Sequence, residues 1–286
     1  MNILLIDTHI HVMPPDMLRR LDQICAREPY FAAMASSPKA RFVSHEEVLN
    51  AMRACEVTRA VIFGYAMEDQ GLCREINDYV CEVTAESGGA LIGFMVLNPA
   101  KKDFEAEFEN CIARGLQGVG ELFPEGQKFD LLGKDMSKLA GLCREAKVPL
   151  MIHVNEQLGH SYAGKTSIGP VQAWKFAKEH PGLNIVYPHL GGGLFFYELM
   201  REVARDLRSV WYDTAAVPFL YSASVYKVAK DVGAIERLLL GTDYPLLGYE
   251  RYWAQLRQSG LLPADQAALC GENALRLLRR EGDAPW

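Results

Sequence analysis

The chain has 286 residues, 49% of them hydrophobic and 23% charged, the balance of a globular protein with ample material for a core. Its formal charge of -6 and scattered basic residues give no electrostatic case for nucleic acid or an anionic membrane as partner. Seven cysteines, Cys25, Cys55, Cys73, Cys81, Cys111, Cys143 and Cys270, fall singly and form no CxxC, which argues for buried thiols in a reducing compartment and against disulfides or a Cys-based zinc site. The apolar start lacks a basic leader and a cleavage site, and no stretch is long enough to span a bilayer, so a cytoplasmic protein is expected.

The first strand covers 2–12, NILLIDTHIHV. Side chains alternate along a strand, so Asp7, His9 and His11 share a face, and two imidazoles side by side are half a metal site. Met13-Pro14-Pro15 breaks the strand, and the residues up to Pro38 form a loosely helical excursion without a clear period. Ser44 to Glu47 fits a capping box that opens a helix with Val48, Met52 and Cys55 on its buried stripe; His45 is expected as a solvated residue of its first turn.

Apolar, β-branched runs at 58–65 and 90–96 predict the second and third strands, with a helix over 70–86 between them. Phe104, Phe108 and Cys111 mark the next helix. The fourth strand is 116–122, LQGVGEL, with Gly118 and Gly120 where neighbouring backbone comes close. Met136, Leu139 and Cys143 place a helix before the fifth strand, 148–154. Strands at 183–189, 209–214 and 237–243 follow, and a last helix runs over 263–280. Apolar strands alternating with helices predict a parallel sheet covered on its outside; at this length that is a single (β/α)₈ barrel, one domain over 1–286. An open doubly wound sheet is the rival, but no GxGxxG follows the first strand.

On that frame His9 and His11 end strand one, Glu121 strand four, His153 strand five, His189 strand six and Asp243 strand eight. All strand C-termini of a barrel converge on one mouth, so six potential metal ligands from five strands meet there. Burying so many ionisable groups without a cation carries a large desolvation cost, so a divalent metal is expected among them. With histidines and carboxylates as donors, zinc, manganese, iron or cobalt would suit.

The ordered set DTHIH, GVGEL, MIHVNE, PHLGGG and GTDYP resembles the amidohydrolase superfamily, specifically its amidohydrolase-2 branch, as does the closing CGENALRLL. The resemblance implies a divalent metal at a barrel mouth, usually zinc, that activates water for hydrolysis. It also admits non-oxidative decarboxylases and hydratases of small carboxylic acids. By position His9, His11, His153 and Asp243 match the single-metal ligand set, and His189 matches the histidine that polarises substrate or water, or binds a second metal. Glu121 departs from many single-metal members and matches the carboxylate with which binuclear relatives bind or bridge ions, leaving one or two ions open.

The expected function is therefore metal-dependent hydrolysis of a small organic acid, ester, lactone or amide, with Asp243 as general base and His189 beside the developing oxyanion. A decarboxylase or hydratase on the same site is the alternative, and a metal-binding barrel without catalysis the third reading. Asp7 is expected to orient a ligand rather than bind metal, and Asp213 either orients a ligand from strand seven or makes a structural hydrogen bond. Tyr65 and Asn155 end strands two and five near the substrate. The loop 155–170 is expected to cover the mouth as a lid or selecting wall, Tyr162 touching an apolar group and Lys165 a carboxylate, while His160 lies too far past the strand to be a ligand. The expected partner is a small-molecule substrate; a homo-oligomer is compatible with the sequence.

Overall fold

A computed structural model describes residues 4–162 and 164–279. Residues 2, 3 and 280 of the expected first strand and last helix lie outside the described residues. Eight short parallel strands alternate with helices: β1 (Ile6–His11), β2 (Arg59–Phe63), β3 (Leu91–Gly93), β4 (Val119–Leu122), β5 (Leu150–Ile152), β6 (Ile185–Tyr187), β7 (Val210–Asp213) and β8 (Leu238–Leu239). They hydrogen-bond in the order β1-β2-β3 and β4-β5-β6-β7-β8.

Two junctions join these runs into a ring. Met95, just past β3, bridges Val119 in parallel, and the N–H of Gly120 donates to its carbonyl at 2.8 Å. On the other side the N–H of Thr8 donates to Leu240 O at 2.7 Å, that of Asp243 to His9 O at 2.9 Å and that of His11 to Tyr244 O at 2.9 Å. The strand order thus closes from β8 back to β1, and the fold is a (β/α)₈ barrel.

Every strand is shorter than its apolar run. The clearest case is β8, expected over 237–243: the chain leaves the ladder after Leu239, Leu240 N–H donates to Leu269 O at 3.0 Å, and Asp243 takes a left-handed φ of 58°. The apolar character persists beyond the ladder because those residues still face the packed interior.

The helix Gln70–Glu86 has the expected bounds; the Asp69 side chain caps it by accepting from Leu72 N–H at 3.0 Å, and Leu72, Ile76, Val80 and Val83 are buried. The excursion after β1 holds three short helices, Pro15–Arg19, Leu21–Arg27 and Pro29–Ala35. The closing helix is interrupted: Pro263–Ala267 and Asn273–Leu278 flank a π turn over Ala268–Glu272. His45 is not the solvated residue expected of it. It is half-buried, and both its backbone N–H, at 2.9 Å, and its Nδ1, at 2.8 Å, meet the Tyr79 hydroxyl. All seven cysteines are free, and five of them, Cys73, Cys81, Cys111, Cys143 and Cys270, are buried. Among the described residues no helix is long and apolar enough to cross a membrane.

Candidate metal centre

His9 and His11, both inward from β1, bring their Nε2 atoms to 3.3 Å from each other. Glu121 Oε2, from β4, lies 3.6 Å from each of them. Asp243 Oδ1 lies 3.7 Å from His9 Nε2 and 3.5 Å from His11 Nε2. Nitrogen and oxygen ligands bound tetrahedrally at ~2.0–2.2 Å stand about 3.3–3.6 Å apart, so these separations are close to those of a ligand shell.

The other oxygen of Glu121 serves a second group. Its Oε1 is 2.9 Å from His153 Nδ1 and 3.8 Å from His189 Nε2, and those two nitrogens are 3.3 Å apart. The six expected ligands thus divide into two clusters, with one Glu121 oxygen in each. His153, matched by resemblance to the set of His9, His11 and Asp243, stands instead with Glu121 and His189. Gly120, just before Glu121, has a φ of +123°, and a Cβ there would come 2.3 Å from Met151 O on β5, so the strand carrying Glu121 passes β5 where only glycine fits.

Partners outside the clusters fix which nitrogens face inward. His9 Nδ1 donates to Asp213 Oδ2 at 2.8 Å and His189 Nδ1 to Ala215 O at 2.8 Å. A carboxylate and a carbonyl accept only, so in the neutral rings, the form that binds a metal, both Nε2 atoms present lone pairs to the clusters. The backbone after His189 is shaped by PHLGGG: residues 190–193 all have positive φ, and a Cβ on Gly192 would lie 2.3 Å from Asn155 O. Asp7, one layer deeper than His9, accepts from Thr242 N–H at 3.0 Å and Thr242 Oγ1 at 2.5 Å, which ties β1 to the segment carrying Asp243.

Electrostatically the clusters call for positive charge. Burial pushes the His9 imidazolium down, but the carboxylates of Asp213, Glu121 and Asp243 more than reverse this and lift it to about 10. Burial likewise pushes the Glu121 carboxyl up, and His153, His9 and His11 outweigh it and hold the group well below the usual carboxylate range. His11 Nδ1 and His153 Nε2 are buried without a hydrogen-bond partner, so the polar contacts of both rings lie inside the clusters. Four imidazole nitrogens and two buried carboxylates turned toward one another fit a divalent cation, which would take the place of the proton that holds the His9 imidazolium, and the donor set, free of sulfur, suits zinc or manganese.

Above the clusters lies a cavity of ≈ 390 Å³ whose floor includes His11, Glu121, His153, His189 and Asp243. Tyr65 lines it, stacked on His11 at 4.5 Å between centroids, and Phe123 stacks on His153 at 4.5 Å. Tyr162 and His160 also line it, His160 outside both donor groups. Asn155 and Lys165 are not among the lining residues. Fully buried Asn155 instead staples its loop shut, accepting from Thr166 N–H at 2.8 Å and donating to Thr166 O at 3.2 Å. The Lys165 ammonium donates to Leu158 O at 2.7 Å and His160 O at 3.2 Å and lies 3.8 Å from Glu156 Oε1, so it is spent on its own loop rather than offered to a substrate carboxylate. The sequence reading missed Lys39, Arg41 and Phe42, which the aperiodic segment after the excursion carries into the lining, and Phe219 from the loop after β7. The only signal for them was a basic and aromatic cluster, KARF, in a segment without pattern.

A parallel barrel with clustered histidines and carboxylates at the C-terminal strand ends defines the class of metal-dependent barrel enzymes. A family model described as Amidohydrolase matches residues 6–280, and the chain belongs to that family, in its amidohydrolase-2 branch. A search of curated protein sequences finds no match. Among solved structures, the chain is similar to 5-carboxyvanillate decarboxylase from Sphingomonas paucimobilis, with a TM-score of 0.75, 15% identity and coverage of 96% of this chain and 99% of that one. It is also similar to a probable 2-pyrone-4,6-dicarboxylic acid hydrolase from Acinetobacter baumannii, solved with citric acid bound, with a TM-score of 0.66, 16% identity and coverage of 97% and 99%. A third, 5-carboxyvanillate decarboxylase from Novosphingobium aromaticivorans complexed with manganese and 4-hydroxy-3-methoxy-5-nitrobenzoic acid, gives a TM-score of 0.72, 15% identity and 96% coverage of each chain. The protein is thus an enzyme of the amidohydrolase-2 family, whose structural neighbours include both lyases and hydrolases.

Proposed function

We propose that the protein is a metal-dependent hydrolase of a small ester, lactone, amide or organic acid, working with two divalent cations, zinc first among the candidates. The observation that carries this reading is Glu121, which offers one carboxylate oxygen to each donor group. His9, His11 and Asp243 complete the first group, and His153 and His189 the second. Bound there, divalent cations supply Lewis acidity that makes water a nucleophile at neutral pH.

The chain's own residues do the rest. Asp243 lines the cavity as well as the first group, so its carboxylate can take the proton of an attacking water and pass it to the leaving group. Its left-handed backbone and the N–H to His9 O bond hold it against β1. Tyr65 and Phe123, stacked over His11 and His153, exclude bulk water from the floor. His189 belongs with the second group, since its Nε2 meets His153 and Glu121; the oxyanion role expected of it passes out of this reading.

Elemental analysis of protein purified without chelator tests the metal count. Two ions per chain are expected, and Glu121→Gln should lose about one of them, because an amide cannot bridge two cations as a carboxylate does. A single ion unaffected by Glu121→Gln would refute the two-cation reading. Reaction class is tested on small esters, lactones, amides and aromatic carboxylates in oxygen-18 water. Hydrolysis places the label in product, whereas release of carbon dioxide with unlabelled product would establish the decarboxylase alternative.

A further inference from the structure

The cavity differs in character from floor to rim. Its floor is buried and polar, its walls carry Phe42, Tyr65, Phe123 and Tyr162, and its exposed lining residues include Phe219 and Lys39. Two cations belong to this lining, and their circumstances differ. Arg41 is engaged: its guanidinium donates to Glu47 Oε1 at 3.1 Å and lies 5.7 Å from the Tyr244 ring centroid. Lys39 has no carboxylate within 4.0 Å among the described residues, and its Nζ stands 4.9 Å over the Phe219 ring. An aromatic face steadies an ammonium without neutralising it, so the charge stays available. Lys165, the other lysine of the neighbourhood, is consumed by two backbone carbonyls and by Glu156, 3.8 Å away.

We propose that Lys39 is a specificity-determining residue that reads an anionic group on the substrate at the end remote from the reacting bond. The preferred substrate then has three parts: a polar reacting group at the buried floor, a flat or apolar body between the aromatic walls, and a carboxylate or similar anion at the rim beside Lys39. The inference rests on the proposed metal centre for the position of the reacting group. It differs from a site whose only carboxylate is the one undergoing reaction at the metal, because the rim charge is a second, unreacting group. An exposed lysine contributes little to an ion pair in open water, and the contribution grows when the ligand's body covers the cavity and displaces solvent from it.

The test uses metal-replete protein and non-reacting probes: a series of dicarboxylic acid monohydroxamates of increasing chain length, each beside the alkyl hydroxamate lacking the distal carboxylate, with affinity read by calorimetry. The hydroxamate anchors each probe at the floor, and the chain length places the carboxylate. At one length or a few neighbouring ones the wild-type protein should prefer the acid over its alkyl partner by about fivefold, the scale of a partly screened ion pair. Lys39→Met should erase that preference while leaving alkyl hydroxamate affinity in place, and Lys39→Arg should retain it. Absence of a preference at every length, or its survival in Lys39→Met, overturns the role of Lys39. Alkyl hydroxamates that bind chelator-treated protein as well as metal-replete protein would overturn the metal reading itself, and the rim inference with it.

Discussion

Asp213 accepts the Nδ1 proton of His9 at 2.8 Å, and that bond decides which nitrogen of His9 faces the donor cluster. The other oxygen of the same carboxylate accepts the backbone N–H of Ala215 at 2.9 Å and of His189 at 3.3 Å. One buried side chain at the end of β7 therefore orients a ring of the first donor group and the backbone of a member of the second. Ala215 in turn offers its carbonyl to His189 Nδ1, so both Nε2 lone pairs depend on this corner.

From this, Asp213→Asn should weaken metal binding by about 10–100-fold, the usual effect of losing an outer partner of a ligating histidine, although Asp213 touches no metal. An amide can turn its NH₂ toward Nδ1 and favour the wrong tautomer. Competition against a chelator of known affinity measures the change. Undiminished affinity in a folded Asp213→Asn variant would remove the residue from the centre.

Metal removal has a stability consequence. With Glu121 and Asp243 set among inward lone pairs, cations bind the folded chain far better than the unfolded one, and a metal at a thousand times its Kd stabilises by about 4 kcal/mol. Dialysis against chelator should lower Tm, and zinc or manganese should restore it. Equal Tm values for treated and untreated protein would mean that these six side chains hold no ion.

The barrel and its six mouth residues were legible because the strands are short apolar runs, five of which end in the histidines and carboxylates of the site, and period two fixes which face such a residue takes. The pairing of the ligands was not. Whether His153 joins His9 or His189 depends on how the Glu121 carboxylate is turned between residues at the ends of strands β1, β5 and β6, which are far apart in sequence. The cavity wall was the least legible part. Lys39 and Arg41 sit in a stretch without period, and Lys165 looked free because its acceptors are backbone carbonyls, which a sequence does not display as partners.

Two glycine substitutions should act in opposite directions. Gly192 has φ +59°, and a Cβ would fall 2.3 Å from Asn155 O, so Gly192→Ala forces apart the His189 segment and the loop stapled by Asn155. The expected loss is about 1–3 kcal/mol in urea unfolding, together with weaker metal binding. Gly141 lies inside the helix Lys134–Glu145, where a Cβ would meet nothing within 4 Å, and Gly141→Ala should stabilise by roughly 0.5–1 kcal/mol without touching the metal. Equal effects of the two changes would contradict this account of the site backbone.

The loop over 155–170 is pinned at several points. Besides the Asn155 staple, the Tyr30 hydroxyl donates to Gly164 O at 2.8 Å, and the Ser167 N–H and hydroxyl meet the Glu125 carboxylate at 2.7 and 2.8 Å. These bonds favour a fixed wall over a swinging lid, with Lys165 as an internal brace to the carbonyls of Leu158 and His160. Lys165→Met should therefore raise backbone hydrogen exchange across 156–166, because two carbonyls lose their donor. It should weaken binding of anionic and neutral hydroxamates by similar factors, since what changes is the placement of Tyr162 in the wall and not a charge facing the ligand. Lys39→Met should give the reverse pattern, with loop exchange unchanged and only the anionic probes affected. If Lys165→Met selectively weakened the anionic probes while loop exchange stayed at the wild-type rate, the ammonium would be a substrate contact after all, and the brace would have to be assigned to Asn155 and Tyr30 alone.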